Sequence, residues 1–222
     1  RIEYALKGGR LNTDFIDNSG GVDCSDHEVN MKILLNRAVA MGDLTGKQRN
    51  IMLEEMTDDV SALVLKNNYR QTQAISIASI DTAPRLEEYR RLMNTFEGQG
   101  KLNRDLEFLP DDEALSERKL AKKGLTRPEL SVLISYVKGD LKQTLIDSDL
   151  PDDPLLAGEM YKVFPKELTK RFSSELGEHQ LRREIIATQI ANDMVNHMGI
   201  TFVERLNQST GADAASIALA WI

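Results

Sequence analysis

Apolar side chains recur at the spacing of an α-helix along most of the chain, and the clearest case begins near residue 29. One such stripe is followed by Gly42, a residue type that commonly ends helices, and it consists of Val29, Ile33, Leu34, Leu35, Val39 and Met41. The pattern predicts a helix from Ser25 onward, and similar stripes continue to residue 222. The strongest later start signal is Thr126, because Pro128 follows in the first turn and Glu129 completes a capping box.

The residues before the first stripe follow a different pattern. The run "IEYAL" favours a short strand that Gly8 and Gly9 end, and "RLNTDFID" alternates weakly before a group of turn-forming residues. We therefore expect a mainly α protein, in which a short mixed strand and loop stub precedes a multi-helix bundle. The predicted boundary divides the chain into residues 1–43 and 44–222.

Composition and charge narrow the classes of protein. The chain has 222 residues and a formal net charge of −7, and its basic residues are dispersed among 35 acidic ones, which argues against a nucleic-acid partner. No apolar run approaches the ~20 residues of a membrane span, and the single Cys24 fits a reducing, cytoplasmic setting. The chain begins at "RIEYALKGG" and stops at "ALAWI" without a polar tail, so we expect a piece of a longer protein.

The segment "DNSGGVDCSDHEVN" carries the most concentrated polar chemistry. Gly20 and Gly21 allow backbone conformations closed to other residues and the close approach of a ligand. Ser25 stands at the predicted start of a helix with Glu28 three residues later, and a helix N-terminus attracts anions. This pattern suits a receptor for a small organic acid. In the alternative interpretation Ser25 only caps the helix and the glycines only turn the chain; the two interpretations are compatible.

Two other kinds of site receive little support from the same segment. Asp23 and His27 could share a helix face, but His179 and His197 lie far away in the sequence and in separate predicted helices. No partner pattern surrounds Cys24 that would make it a nucleophile. We therefore predict neither a metal site nor a cysteine nucleophile here.

Three blocks resemble the large bacterial NAD-specific glutamate dehydrogenases, and together the resemblance runs over essentially the whole chain. The blocks are "GGRLNTDFIDNSGGVDCSDHEVNMKILL", "GLTRPELSVLISYVK" and "LRREIIATQIANDMVNHMGITFVERL". The first block is also similar to a motif of the smaller glutamate dehydrogenases: Asp, then Asn-Ala-Gly-Gly-Val, then Ser after two further residues. The positions that match are Asp14, Asn18, Gly20, Gly21, Val22 and Ser25, whereas Ser19 replaces the alanine.

The resemblance implies roles for five of these residues. Ser25 would bind the γ-carboxylate of glutamate, and Val22 and Gly21 would contact the same substrate. Asn18 and Gly20 would lie near the nicotinamide end of NAD. No metal is implied.

The resemblance also implies a function and shows where the chain departs from the family. The parent protein would oxidise L-glutamate to 2-oxoglutarate and ammonia with NAD, as a cytoplasmic homo-oligomer in amino-acid catabolism. No Gly-x-Gly-x-x-Gly fingerprint is present, and no catalytic lysine or aspartate is found, since Lys7 before two glycines is a weak signal. We therefore expect residues 1–43 to end a catalytic domain and residues 44–222 to form a C-terminal all-α domain. The whole chain would act with the rest of the parent protein and be inactive alone. The alternative is an α-helical interaction, regulatory or oligomerisation module.

Overall fold

The computed structural model describes residues 1–222, and it is built of α-helices without any β-strand. None of its helices has the length and apolarity that a membrane crossing requires. Two short 3₁₀ turns, Leu150–Asp152 and Pro154–Leu156, occupy the segment for which the sequence predicts a turn. The fourteen helices are α1 (Ile2–Leu6), α2 (Asp14–Asp17), α3 (Gly20–Met41), α4 (Gly46–Glu55), α5 (Thr57–Asp81), α6 (Leu86–Gly98), α7 (Asp112–Leu120), α8 (Arg127–Ile146), α9 (Gly158–Tyr161), α10 (Lys166–Arg171), α11 (Ser173–Gly177), α12 (Arg182–Met198), α13 (Phe202–Thr210) and α14 (Ala214–Trp221).

The chain divides into two compact units. Unit 1 consists of Arg1–Asp17, Arg70–Leu141 and Ala191–Ile222. Its core is formed by aliphatic and aromatic side chains that are at most 2% exposed, among them Ile16, Ile75, Tyr89, Met93, Leu115, Leu130, Leu133, Ile134 and Met194. Removing such side chains from water is the main favourable contribution to folding.

Unit 2 consists of Asn18–Tyr69 and Lys142–Ile190. One face of α3 is buried in its core through His27, Met31, Leu34, Leu35 and Ala38. The earlier segment also buries Leu44, Met52, Met56 and Val64. The later segment contributes Leu145, Leu156, Met160, Phe164, Leu168, Phe172, Leu176 and Ile186. Unit 2 therefore holds the polar segment of residues 17–30 except for Asp17, which belongs to unit 1.

The predicted strand in "IEYAL" is wrong, because these residues form α1 instead. A strand needs a neighbour for its backbone N–H and C=O groups, and no strand exists in the structure to supply one. A helical turn satisfies part of these groups locally, as in the bond from the Gly8 amide to the Ala5 carbonyl at 2.9 Å. Gly8 then ends the turn with a φ of +91°. The predicted stub of strand and loop is thus replaced by α1 and α2.

The helix predicted from Ser25 is confirmed at its end but not at its start. Gly42 has a φ of +87° and closes α3 in the left-handed conformation, as the sequence predicts. The helix begins earlier than predicted, at Gly20. The cause is that Ser19 already has helical backbone angles, with φ −70° and ψ −20°, so nothing delays the helix until Ser25.

Candidate functional site

The candidate site residues lie at the start of α3, on the face of this helix that is exposed to solvent. Val22 is 68% exposed, although it is apolar. Gly21 and Ser25 are also exposed, while the opposite face of the helix enters the core of unit 2. An exposed valine and an exposed serine one helical turn apart are suited to contact the apolar and the polar part of one small molecule.

Ser25 is not a helix cap. The alternative interpretation, in which Ser25 and Glu28 form a capping box at the start of the helix, is therefore wrong. The cap position belongs to Ser19, and Ser25 is the sixth residue of α3. Glu28 does not turn back to Ser25 but forms an ion pair with Lys32 one turn later. The hydroxyl of Ser25 is therefore not used in a cap, and it remains available to an outside acceptor.

The two glycines have no conformational role in α3. Left-handed φ angles occur at other glycines, among them Gly8 and Gly42, but not at Gly20 or Gly21, so the expectation of special backbone angles is wrong. A Cβ atom at Gly21 would meet nothing within 4 Å, and at Gly20 it would lie 3.7 Å from Val64 Cγ1, an ordinary contact. Since a glycine in a helix costs roughly 0.5–1 kcal/mol relative to alanine, the fold of the chain does not explain this pair. Close approach by something outside the chain would explain it.

Asn18 lies directly before the capping residue Ser19, between α2 and α3, and it is exposed. Its amide can both donate and accept hydrogen bonds. Asn18, Gly20, Gly21, Val22 and Ser25 thus occupy one continuous segment around the first two turns of α3, within unit 2.

A second helix holds this segment in place. On α5, Asn68 donates from Nδ2 to the Ser19 hydroxyl at 2.8 Å, and Asn67 donates from Nδ2 to Asp23 Oδ2 at 3.0 Å. Sequence reasoning missed these two asparagines. Their signal was weak: two consecutive amides in the interior of a long helix, where asparagine has a poor intrinsic propensity.

Asp23 and His27 do share a face of α3, as the sequence suggests. His27 Nε2 lies 3.6 Å from Asp23 Oδ1 and makes no hydrogen bond, and the residue is only 5% exposed. The structure contains no group of three or more histidine, cysteine, aspartate or glutamate side chains arranged to hold a metal ion. Cys24 is exposed and free.

The most strongly perturbed lysine lies elsewhere, in unit 1. Burial lowers the pKa of Lys138 on α8 to about 7, an effect that the charge of Asp193 on α12 opposes. Lys138 Nζ donates to Gln71 Oε1 at 2.9 Å, and Asp193 pairs with Arg70 at 3.2 Å. Because these four side chains make their contacts within unit 1, whereas the start of α3 belongs to unit 2, we assign Lys138 to the packing of unit 1.

Known proteins match the chain along its whole length. It is 60% identical over all 222 residues to the NAD-specific glutamate dehydrogenase of Pseudomonas aeruginosa and 56% identical over the same length to that of Halomonas elongata. It is 41% identical over 211 residues to the NAD-specific glutamate dehydrogenase of Mycobacterium tuberculosis, which covers 95% of the chain. The chain spans only 14% of the first two relatives and 13% of the third. No solved structure matches it.

Two family models match different parts of the chain. Residues 1–78 match the family described as bacterial NAD-glutamate dehydrogenase, catalytic domain. Residues 122–222 match the family described as glutamate dehydrogenase, C-terminal. The two matches occur in one chain that is similar to the same relatives throughout, so the chain belongs to the family of the large bacterial NAD-specific glutamate dehydrogenases.

Proposed function

We propose that the chain is part of an enzyme that converts L-glutamate to 2-oxoglutarate and ammonia and passes a hydride to NAD. The observation that carries this proposal is the 60% identity over the full chain to an NAD-specific glutamate dehydrogenase. The exposed glycine, valine and serine at the start of α3 support it, because the fold of the chain leaves them without another role.

Within this function, Ser25 binds the γ-carboxylate of glutamate. Its hydroxyl donates to the carboxylate, a charge-assisted bond worth ~1.5–3 kcal/mol. Val22 packs against the methylene groups of the substrate, and Gly21 leaves room for it because no side chain projects there. Together these contacts orient the Cα–H bond of glutamate, which is how substrate binding energy lowers the barrier of a transfer step.

Asn18 and Gly20 contact the nicotinamide end of NAD in this proposal. The exposed Asn18 amide fits that group, since it can pair with a carboxamide, and Gly20 would contribute backbone contacts only. When bound, NAD supplies the acceptor for the hydride. The chain has no dinucleotide fingerprint, and so most of the contacts to NAD belong to other parts of the parent protein.

The same proposal covers the setting of the enzyme. The catalytic lysine and acid lie outside these residues, so the isolated chain is inactive and acts with the rest of its parent chain. The parent works in the cytoplasm as a homo-oligomer in amino-acid catabolism, and a single exposed cysteine is compatible with a reducing compartment. Residues 1–43 end its catalytic domain, and residues 44–222 form its helical domain.

Steady-state kinetics of the full-length enzyme tests the substrate site. We expect Ser25→Ala to lower kcat/KM for L-glutamate at least ~10-fold, because the γ-carboxylate loses its donor. The matched control is Ser61→Ala on α5, an exposed serine that donates only to its own helix, at the Thr57 carbonyl, 2.9 Å away. Equal kinetics for Ser25→Ala, Ser61→Ala and wild type would favour the alternative, a helical interaction module without a substrate contact.

A further inference from the structure

The start of α3 rests on one face of α5 through three side chains at helical spacing. Val64, Asn67 and Asn68 occupy positions i, i+3 and i+4 and therefore lie on the same face. Val64 lies beneath Gly20, where an added Cβ would be 3.7 Å from it. All of these residues belong to unit 2.

The two asparagines bind the cap residue of α3 and a residue one turn later in the helix. Ser19 and Asp23 also have the i, i+4 spacing, so they form a ridge on the helix that the amides of α5 hold from two points. The bond to Ser19 gives a reason for the one departure of this sequence from the related motif. A serine stands where the smaller enzymes have alanine, and only the serine offers an acceptor to Asn68.

Two directional bonds restrict α3 in a way that apolar packing does not. A contact between apolar surfaces is not directional and tolerates small rotations of a helix about its axis. A hydrogen bond weakens steeply when its geometry departs from the optimum. Two such bonds one turn apart therefore further restrict the rotation and the axial position of the first turn of α3, beyond the restriction from its buried face.

The rotation of α3 determines where Ser25 points. Ser25 lies on the face of the helix away from the ridge of Ser19 and Asp23, since successive helical residues are separated by about 100°. With a helix radius of ~5–6 Å including side chains, a rotation of ~20° moves the serine hydroxyl by ~2 Å. A displacement of that size exceeds the distance range of a hydrogen bond, so it would weaken the bond from Ser25 to the substrate.

We propose that Asn67 and Asn68 are positioning residues, which hold the rotation of α3 so that Val22 and Ser25 face the side chain of glutamate. This inference rests on the proposed function, because it gives Ser25 a substrate to face. Asn68 makes the more important bond of the two, since Ser19 directly precedes the glycine pair and its bond is partly shielded from water.

The test uses the full-length enzyme, with KM for L-glutamate, KM for NAD and kcat measured for each variant. We expect Asn68→Ala and Ser19→Ala each to raise KM for L-glutamate by about 5-fold, the value of one ordinary hydrogen bond, and to leave KM for NAD unchanged. Ser19→Ala removes the same hydrogen bond with a smaller change of side chain, so it provides the test if Asn68→Ala does not fold. Lys66→Ala, at an exposed neighbouring position on α5, is the matched control and keeps wild-type kinetics.

A double variant separates positioning from a general loss of stability. If Asn68 acts through Ser25, then Asn68→Ala combined with Ser25→Ala lowers kcat/KM no further than Ser25→Ala alone. Losses that multiply, or wild-type kinetics in both Asn68→Ala and Ser19→Ala, overturn the positioning role while the substrate site stands. If the single variant Ser25→Ala keeps wild-type kinetics, then Ser25 is not part of a substrate site, and the positioning role fails with it.

Discussion

The starts of α3 and α8 carry the same sequence signal but differ in structure. Ser25 and Glu28 have the spacing of a capping box, and so do Thr126 and Glu129. Only the second pair stands at a helix start, because α8 begins at Arg127 whereas α3 begins at Gly20. The spacing alone therefore does not locate the start of a helix.

At α8 the surrounding chain enforces the start. Glu129 accepts from the Thr126 backbone amide at 2.6 Å and from its hydroxyl at 2.8 Å, and both terminal nitrogens of Arg118 donate to it at 2.8 Å. Upstream, a Cβ atom at Gly124 would lie only 2.7 Å from the Ala83 backbone nitrogen, so this position requires glycine. The cap at Thr126, the ion pair with Arg118 and the close contact at Gly124 all lie in unit 1. Together they determine where α8 begins.

At α3 no upstream contact prevents the helix from starting as early as Gly20. Residues 20–24 belong to α3, and an added Cβ atom would meet no close contact at Gly20 or Gly21. Ser25 and Glu28 then lie inside the helix and face the solvent. Glu28 pairs with Lys32, whereas the Ser25 hydroxyl has no role in a cap. A capping pattern that lies inside a helix therefore leaves its hydroxyl as a candidate for binding.

Replacing the glutamate of each capping pattern, Glu129 or Glu28, should give the largest difference in the free energy of unfolding. Glu129→Ala should lower the free energy of unfolding of the 222-residue chain by ~3–5 kcal/mol, because it leaves the mostly buried Arg118 without its partner. Glu28→Ala removes only an exposed ion pair with Lys32 and should cost less than ~1 kcal/mol. Urea denaturation followed by circular dichroism measures both. Similar losses in the two variants would contradict the distinction between the helix starts.

A second, smaller difference concerns the hydroxyl groups. Thr45 is the cap of α4 and forms a complete capping box with Gln48, so Thr45→Ala should destabilise the chain by ~1 kcal/mol. Ser25→Ala should change stability by less than ~0.5 kcal/mol, since an exposed serine inside a helix has no such role. Thermal unfolding of the two variants beside wild type decides this. A loss in Ser25→Ala as large as that in Thr45→Ala would restore Ser25 as a structural residue.

Much of the helical pattern was predictable from the sequence, because it depends on local periodicity and local capping. The end of α3 at Gly42 and the start of α8 after Thr126 both follow from nearby residues. The failures have non-local causes. "IEYAL" lacked a partner strand, and a sequence pattern does not show which strands will meet. The bond between Asn68 and Ser19 joins residues 49 positions apart, and no local signal predicts such a pair.

Two exposed glycines in helices, Gly21 and Gly139, test the substrate site most directly. Gly21→Ala and Gly139→Ala both add a methyl group to a helix where it meets nothing within 4 Å, so each should stabilise the chain by up to ~1 kcal/mol. Only Gly21 belongs to the proposed substrate site.

The decisive measurement is therefore kcat/KM for L-glutamate in the full-length enzyme carrying Gly21→Ala, with Gly139→Ala as the control. We predict that Gly21→Ala loses at least ~10-fold while its chain becomes more stable, and that Gly139→Ala keeps wild-type activity. Wild-type activity in Gly21→Ala would mean that nothing approaches this turn of α3, and it would contradict the assignment of the substrate site.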